Sequence, residues 1–458
     1  MRVFGVIWHV PLILMAACFS AVLWLTPFGV TALTGDEVLP TRATLAAFGT
    51  LLSLLGLGIT WALGLYSRRQ RAGLAGLGMR AFGGTLLAGL LAYVISRMTS
   101  VGEISGPTVL IVTLAAALIA GPVAAMISSL INEDIFRRKV LVYGCGVQAQ
   151  SIGALRRRAD QRGFRLMGFV RVDEVVEVAQ ERLVTAHGSL LELARELEVD
   201  EIVMALDDRR RNFPLGELLE CRLAGIEITE LVTFLERETG KVRIDVLNPS
   251  WLIFGAGFRR DAMRRGSERI FDVIASTALL LAASPLILLT ALAIVIESGP
   301  RAPIFYRQRR VGFRGSEFDV VKFRSMRVDA EKNGAVWATD NDSRVTRVGA
   351  VIRKLRIDEL PQILNVLKGD MSFVGPRPER PEFVKQLSET IPYYNERHWV
   401  KPGITGWAQL CYPYGASERD AIEKLQYDLY YVKNHSLLFD IMVLVQTVEV
   451  VLLGKGAR

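Results

Sequence analysis

The first 132 residues carry almost no charge. Of the chain's 55 Lys and Arg and 47 Asp and Glu side chains, only ten fall there: seven Arg, Asp36, Glu37 and Glu103. Four apolar stretches fill the interval, roughly residues 8–32, 43–66, 81–96 and 109–131. All but 81–96 reach the ~20 residues that cross a ~30 Å hydrocarbon core. A helix satisfies its own backbone in lipid, so the expectation for 1–135 is a four-helix transmembrane bundle. The rest of the 458 residues is ordinarily charged and basic, bringing the whole to +8 with a mean hydropathy of +0.30. This division excludes a secreted enzyme, a wholly soluble enzyme and a many-span transporter.

Arg68, Arg69, Arg71 and Arg80 fall in the loop before the third stretch, and Arg137, Arg138 and Lys139 follow the fourth. The positive-inside rule therefore places both ends, the middle loop and everything after residue 132 on the cytoplasmic face. A cleaved signal peptide competes for the N-terminus, since Leu14–Cys18 resembles a lipoprotein cleavage site. The apolar run continues past Cys18 to Val30, which favours a retained span. The four cysteines and four histidines are scattered, against a zinc site or a disulfide framework. The basic balance fits anionic inner-leaflet lipid and anionic substrates. Its spread among membrane flanks argues against nucleic acid.

Residues 136–250 read as a Rossmann-like, doubly wound α/β domain. Strands are expected at 139–143, 164–170 and 201–205, with helices at 149–159, 190–197 and 215–223. Gly144 and Gly146, in a GxGxxA turn after the first strand, could cradle a nucleotide's pyrophosphate. They could equally just permit a tight turn, leaving the domain a sensor, scaffold or oligomerisation role. Asp173 is the nearest candidate for the acidic residue that should end the second strand.

After a linker at 251–266, the run 270–296 would extend about 40 Å as a helix, enough to cross. Both flanks are basic, however: Arg259, Arg260, Arg264, Arg265 and Arg269 before it, and Arg301, Arg307, Arg309 and Arg310 after it. Crossing would strand one cluster outside. At its centre Pro285 removes a backbone hydrogen bond, and Ser284 can satisfy the carbonyl so freed. A re-entrant helix that bends at Ser284-Pro285 meets all three observations. Near the C-terminus, the apolar stretch 437–453 holds Asp440 and Glu449, so it is expected at the interface, in the core or at a homodimer contact.

The remaining third pairs cations with turn residues. A strand is expected at 318–323, leading into Lys322-Phe-Arg324, and a helix at 348–355 carries Arg353 near its end. Asp358-Glu359 then precede a helix opened by Pro361, a position that also favours anions. By position alone the two carboxylates complement a helix dipole. Beside so many cations they suit phosphoryl transfer to an aspartate, with a divalent ion bridging carboxylate and phosphate. Arg377 in Gly375-Pro-Arg-Pro378 sits on a rigid turn suited to a phosphate or a planar base.

The order of FDV (271–273), Ser284-Pro285, FYRQRRVG (305–312), VKFRSM (321–326), LRIDELPQILNVLKGDMSFVGPRPERPEF (355–383), VKPGITGWAQ (400–409) and YDLYYVKNHSLLFD (427–440) resembles the catalytic domain of bacterial monotopic phosphoglycosyl transferases. The N-terminal part resembles the long members that initiate exopolysaccharide or O-antigen repeats. The resemblance implies an α/β catalytic domain with a re-entrant helix over 267–458, at the bacterial inner membrane. It implies transfer of a sugar-1-phosphate, a hexose-1-phosphate in the usual case, from a UDP-sugar to polyprenyl (undecaprenyl) phosphate, releasing UMP. Asp358 would be the nucleophile and Glu359 its partner, both candidates for Mg2+ or Mn2+, and Arg377 would bind substrate. Lys322, Arg324 and Arg353 are assigned to phosphate from their charge and placement. Two rival readings are weaker. A membrane-anchored nucleotide-sugar dehydratase lacks its Tyr-x-x-x-Lys pair here, and a ligand-sensing scaffold leaves the carboxylate and Arg motifs unexplained.

Overall fold

The computed structural model describes residues 2–3, 6–7, 10–34, 41–63, 65, 74–99, 104–130, 137–155, 158–161, 163–172, 175–185, 188–208, 213–247, 249–254, 257, 262–327, 344–412, 415 and 417–452. Asp173, the Arg68–Arg71 loop, Arg259 and Arg260 lie outside them, as does the side chain of Glu449. Contacts divide the chain into two compact units, 1–239 and 240–458. The protein is a membrane protein of α and α/β elements.

In the first unit, α1 (Val10–Thr34), α2 (Arg42–Ala62), α3 (Leu74–Thr99) and α4 (Gly106–Leu130) share one apolar core that includes Phe19, Phe48, Leu52, Ala88 and Val112. Each is long and apolar enough to cross a membrane. The third is longer than its sequence implied, because Gly76 and Gly78 dilute the apolar signal of its first two turns. Arg80, expected in a loop, is therefore a buried residue of α3.

The α/β part forms a five-stranded, all-parallel sheet in the order β3-β2-β1-β4-β5. Its strands are β1 (Arg138–Tyr143), β2 (Phe164–Val170), β3 (Leu183–Val184), β4 (Glu201–Met204) and β5 (Glu227–Glu230). That order, with helices Leu190–Glu196 and Leu215–Leu223 between strands, is a doubly wound arrangement. The first helix is shorter than expected. It runs Val147–Gly153 and stops at its glycine, and Arg158–Gln161 forms a separate turn. Arg138, read as a membrane-flanking cation, is buried and pairs with Glu201 at 2.6 Å and with Glu238.

The second unit is threaded by a helix from Ala262 to Ser298, continuous through Pro285. Ser284 Oγ donates to Leu281 O at 2.8 Å, the carbonyl four residues before the proline that no N–H can reach. Along its middle, Leu281, Leu288, Leu289 and Leu292 are exposed, although both ends are fastened to the folded unit. Near the start, Arg269 Nη1 donates to Val366 O at 2.7 Å, and Asp272 accepts from Ser372 Oγ at 3.0 Å. Near the end, Ile294 packs on Phe323 and Ile352, and Glu297 Oε1 accepts from Arg347 N at 2.8 Å.

An antiparallel hairpin follows, β6 (Phe305–Val311) with β7 (Glu317–Phe323), which pairs Tyr306 with Lys322. Two short parallel strands, β8 (Ser372–Val374) and β9 (Gly403–Thr405), join the loops after them. The last apolar helix, Leu437–Leu452, packs on its own unit: Val443 joins Tyr427 and Tyr431 in the core, and Asp440 accepts from Tyr431 OH at 2.7 Å.

Candidate active site

Asp358 and Glu359 lie inside a 3-10 turn, Ile357–Gln362, that passes into α-helix Ile363–Lys368, so the α-helix opens two residues after Pro361 rather than at it. Pro361 tightens the turn from within. The chain enters through Arg356, a non-glycine residue held left-handed at φ 58°. Asn365 then ties the helix to β7, accepting from Val321 N at 3.0 Å and donating to Asp319 O at 2.8 Å. The carboxylate turn is thereby fixed against the strand that bears Lys322.

Three cations converge on Glu359 Oε1: Arg377 Nη2 donates at 2.8 Å, Lys322 Nζ lies at 3.4 Å and Arg356 Nη1 at 3.5 Å. Burial opposes ionisation of Glu359, but Arg377, Lys322 and Arg356 outweigh it and hold the carboxyl well below the usual range. Asp358 is displaced the other way. Its own burial and the neighbouring Glu359 charge raise it, while Lys322, Arg356 and Arg353 pull less strongly downward. Its Oδ1 is buried and has no hydrogen-bond partner among the described residues. Burial lowers Lys322. One carboxylate is thus locked in ion pairs, and the other is buried with an oxygen left free.

Of the residues named from sequence, Lys322 and Arg377 meet at Glu359, and Arg353 lies within electrostatic reach of Asp358. Arg324 makes no ion pair with either carboxylate among the described residues. Its Nη1 and Nη2 are buried without partners, an arrangement that a phosphate would satisfy. Sequence reasoning gave no site role to Arg356, Arg310 or Arg397. Arg356 reaches Glu359 only three positions on, whereas the contacts of Arg310 and Arg397 come from distant parts of the chain.

No group of three or more His, Cys, Asp or Glu side chains is placed to hold a metal among the described residues. The carboxylate pair and the free Asp358 oxygen still fit Mg2+, which commonly takes one or two carboxylates and completes its shell with substrate phosphates and water.

Gly144 and Gly146 belong to the first unit, the carboxylate pair to the second. Gly144 takes φ 130°, and a Cβ on Gly146 would lie 2.1 Å from Asp207 Oδ2. Asp207 accepts from Val147 N at 2.9 Å and from Gln148 N at 2.8 Å. The protein's own carboxylate sits where the sequence motif offered a place to a pyrophosphate.

The carboxylate pair and its cationic cradle belong to the unit threaded by the long exposed apolar helix of a membrane protein. Residues 263–454 match the family described as bacterial sugar transferase. A UDP-glucose:undecaprenyl-phosphate glucose-1-phosphate transferase of Xanthomonas campestris pv. campestris is 32% identical over 349 residues, 71% of this chain and 69% of the relative. The chain belongs to this sugar transferase family. A UDP-N-acetylgalactosamine-undecaprenyl-phosphate N-acetylgalactosaminephosphotransferase of Aeromonas hydrophila is 44% identical over 241 residues, 53% of this chain. That match spans only 56% of the Aeromonas protein. The UDP-glucose:undecaprenyl-phosphate glucose-1-phosphate transferase of Escherichia coli K12 is 42% identical over 194 residues, 42% of this chain and 41% of the relative.

Proposed function

We propose that the protein transfers a sugar-1-phosphate from a UDP-sugar to polyprenyl phosphate through a covalent intermediate on Asp358. The observation that carries this reading is the asymmetry of the pair: Glu359 is neutralised by three cations, while Asp358 Oδ1 is free. The Asp358 carboxylate attacks the β-phosphorus, and the bond to the bridging oxygen breaks. UMP leaves with that oxygen and its electron pair. A phosphate oxygen of the polyprenyl acceptor then attacks the same phosphorus and returns the carboxylate. Arg377, Lys322 and Arg353 face the spreading charge, and Arg324 supplies a further unpaired guanidinium. Asp358 and Glu359 would hold Mg2+ or Mn2+, which when bound offsets diphosphate charge. The relatives' names divide between glucose and N-acetylgalactosamine, so supplying UDP-sugars singly with polyprenyl phosphate and Mg2+ is the test. UMP release with at least one donor supports the reading; none with any donor overturns it.

Two further expectations follow from this reading. Turnover needs Asp358 ionised and Lys322 protonated. The acid limb of kcat/KM therefore lies above the ordinary Asp value of ~3.9, and the alkaline limb below the ordinary Lys value of ~10.4. Limbs at the ordinary values contradict the assignment.

We also propose that the four N-terminal helices cross the inner membrane and that helix Ala262–Ser298 enters the cytoplasmic leaflet and returns. Arg269 and Glu297, at opposite ends of that helix, both bond to one folded unit, and this supports the same side for both. A cysteine at position 265 or 301 (Arg265→Cys, Arg301→Cys) should then react with an impermeant reagent only from the cytoplasmic side. Labelling of one of them from outside establishes a crossing helix instead.

A further inference from the structure

Arg377 stands between two prolines, so only one N–H is available across Pro376-Arg377-Pro378 to fix it. The segment is held through its carbonyls instead, each by a different part of the fold. Pro376 O accepts from Gly403 N at 3.0 Å, and Glu379 O from Val311 N at 2.9 Å. Between them, Arg377 O accepts from Arg397 Nη2 at 3.0 Å and Pro378 O from Arg310 Nη1 at 3.1 Å. Four consecutive carbonyls are bonded, and the central two take guanidinium groups.

Both guanidinium groups are themselves braced. Arg397 is buried; it donates to Tyr394 OH at 2.8 Å and pairs with Asp428 at 2.8 Å. Arg310 Nε donates to Gln308 Oε1 at 3.1 Å, and Gln308 Nε2 donates to Tyr306 OH at 3.1 Å. Tyr306 is the cross-strand partner of Lys322. The ladder Tyr306-Gln308-Arg310, on alternate residues of β6, thus links the strand beside Lys322 to the loop bearing Arg377.

We propose that Arg310 and Arg397 are positioning residues that clamp the Pro376–Glu379 segment, so that the Arg377 side chain meets Glu359 and the donor's diphosphate. The diphosphate part of this inference rests on the transfer reading above. Displacing a binding group by about 1 Å can cost about 100-fold. Each clamp removed is therefore expected to weaken UDP binding by at least about 10-fold and to raise KM in proportion. Both act on one loop, so removing the two together should be less than multiplicative.

The test uses the full chain in detergent or nanodiscs, with three readouts: UDP affinity by calorimetry, KM and kcat from UMP release, and hydrogen exchange over 371–384. Arg310→Gln should keep the melting temperature, lose UDP affinity and exchange faster in that peptide. Arg397→Leu alone leaves Asp428 buried without its partner, so it is paired with Asp428→Leu. That double variant should recover the melting temperature but not the affinity. If it does not fold, Arg397→Lys carries the same arm, because an ammonium cannot span Tyr394, Asp428 and the Arg377 carbonyl together. Wild-type affinity and wild-type exchange in these variants overturn the clamp. A wild type that releases no UMP overturns the transfer reading, while the exchange comparison still decides the clamp.

Discussion

Asp358→Asn is expected to abolish UMP release and the phosphosugar adduct together, with turnover falling by at least about 10³-fold. The amide is nearly isosteric, but it cannot form the acyl phosphate. Among the described residues Asp358 Oδ1 accepts no hydrogen bond, so the variant should also fold normally. A mass spectrum of the wild type quenched with its donor should carry the phosphosugar on Asp358, and the variant's should not. Glu359→Gln makes an informative contrast. It leaves Arg377, Lys322 and Arg356 facing a neutral group, so the expected result is a weakened site rather than a missing nucleophile. Full turnover in the Asp358 variant would end the assignment.

Gly403→Ala should produce a large loss of stability from one methyl group. A Cβ there would lie 2.1 Å from Gly375 N, 2.4 Å from Thr405 O and 2.6 Å from Val374 C, all backbone atoms that cannot rotate away. Relief requires β8 and β9 to separate, which costs about 3 kcal/mol or more. For a unit of this size that corresponds to a fall in Tm of roughly 6–12 °C. Gly403 N also holds Pro376 O, so the Arg377 loop should loosen in step. A melting curve within a degree of wild type would show that the strands can part without cost.

What was legible in the sequence was local. The four apolar helices, the strands at 138–143, 164–170 and 201–204, and the pairing of Ser284 with the carbonyl freed by Pro285 all follow from residues within a few positions of each other. Strands Leu183–Val184 and Glu227–Glu230 were missed, because two residues carry no period and Glu-Ile-Thr-Glu is half polar. Within the site, Asp358, Glu359, Lys322 and Arg377 stood out as chemistry on turns and a strand end. Arg397 did not, because its partner Asp428 is thirty-one positions away and its target is a backbone carbonyl, which leaves no mark in a sequence. The 3-10 turn was read as an α-helix start because Pro361 suits either. What separates the two is the i→i+3 bonding of the turn, which residue types alone do not reveal.

Asp207 has a consequence for the middle domain. It lies sixty positions from Val147, yet its carboxylate already holds the two N–H groups at the glycine turn. A tethered anion competes at an effective concentration of about millimolar or more. Any pyrophosphate at this turn would have to displace the Asp207 carboxylate from both N–H groups. The turn that reads as an invitation to a dinucleotide is, in the folded chain, already capped by the protein's own anion.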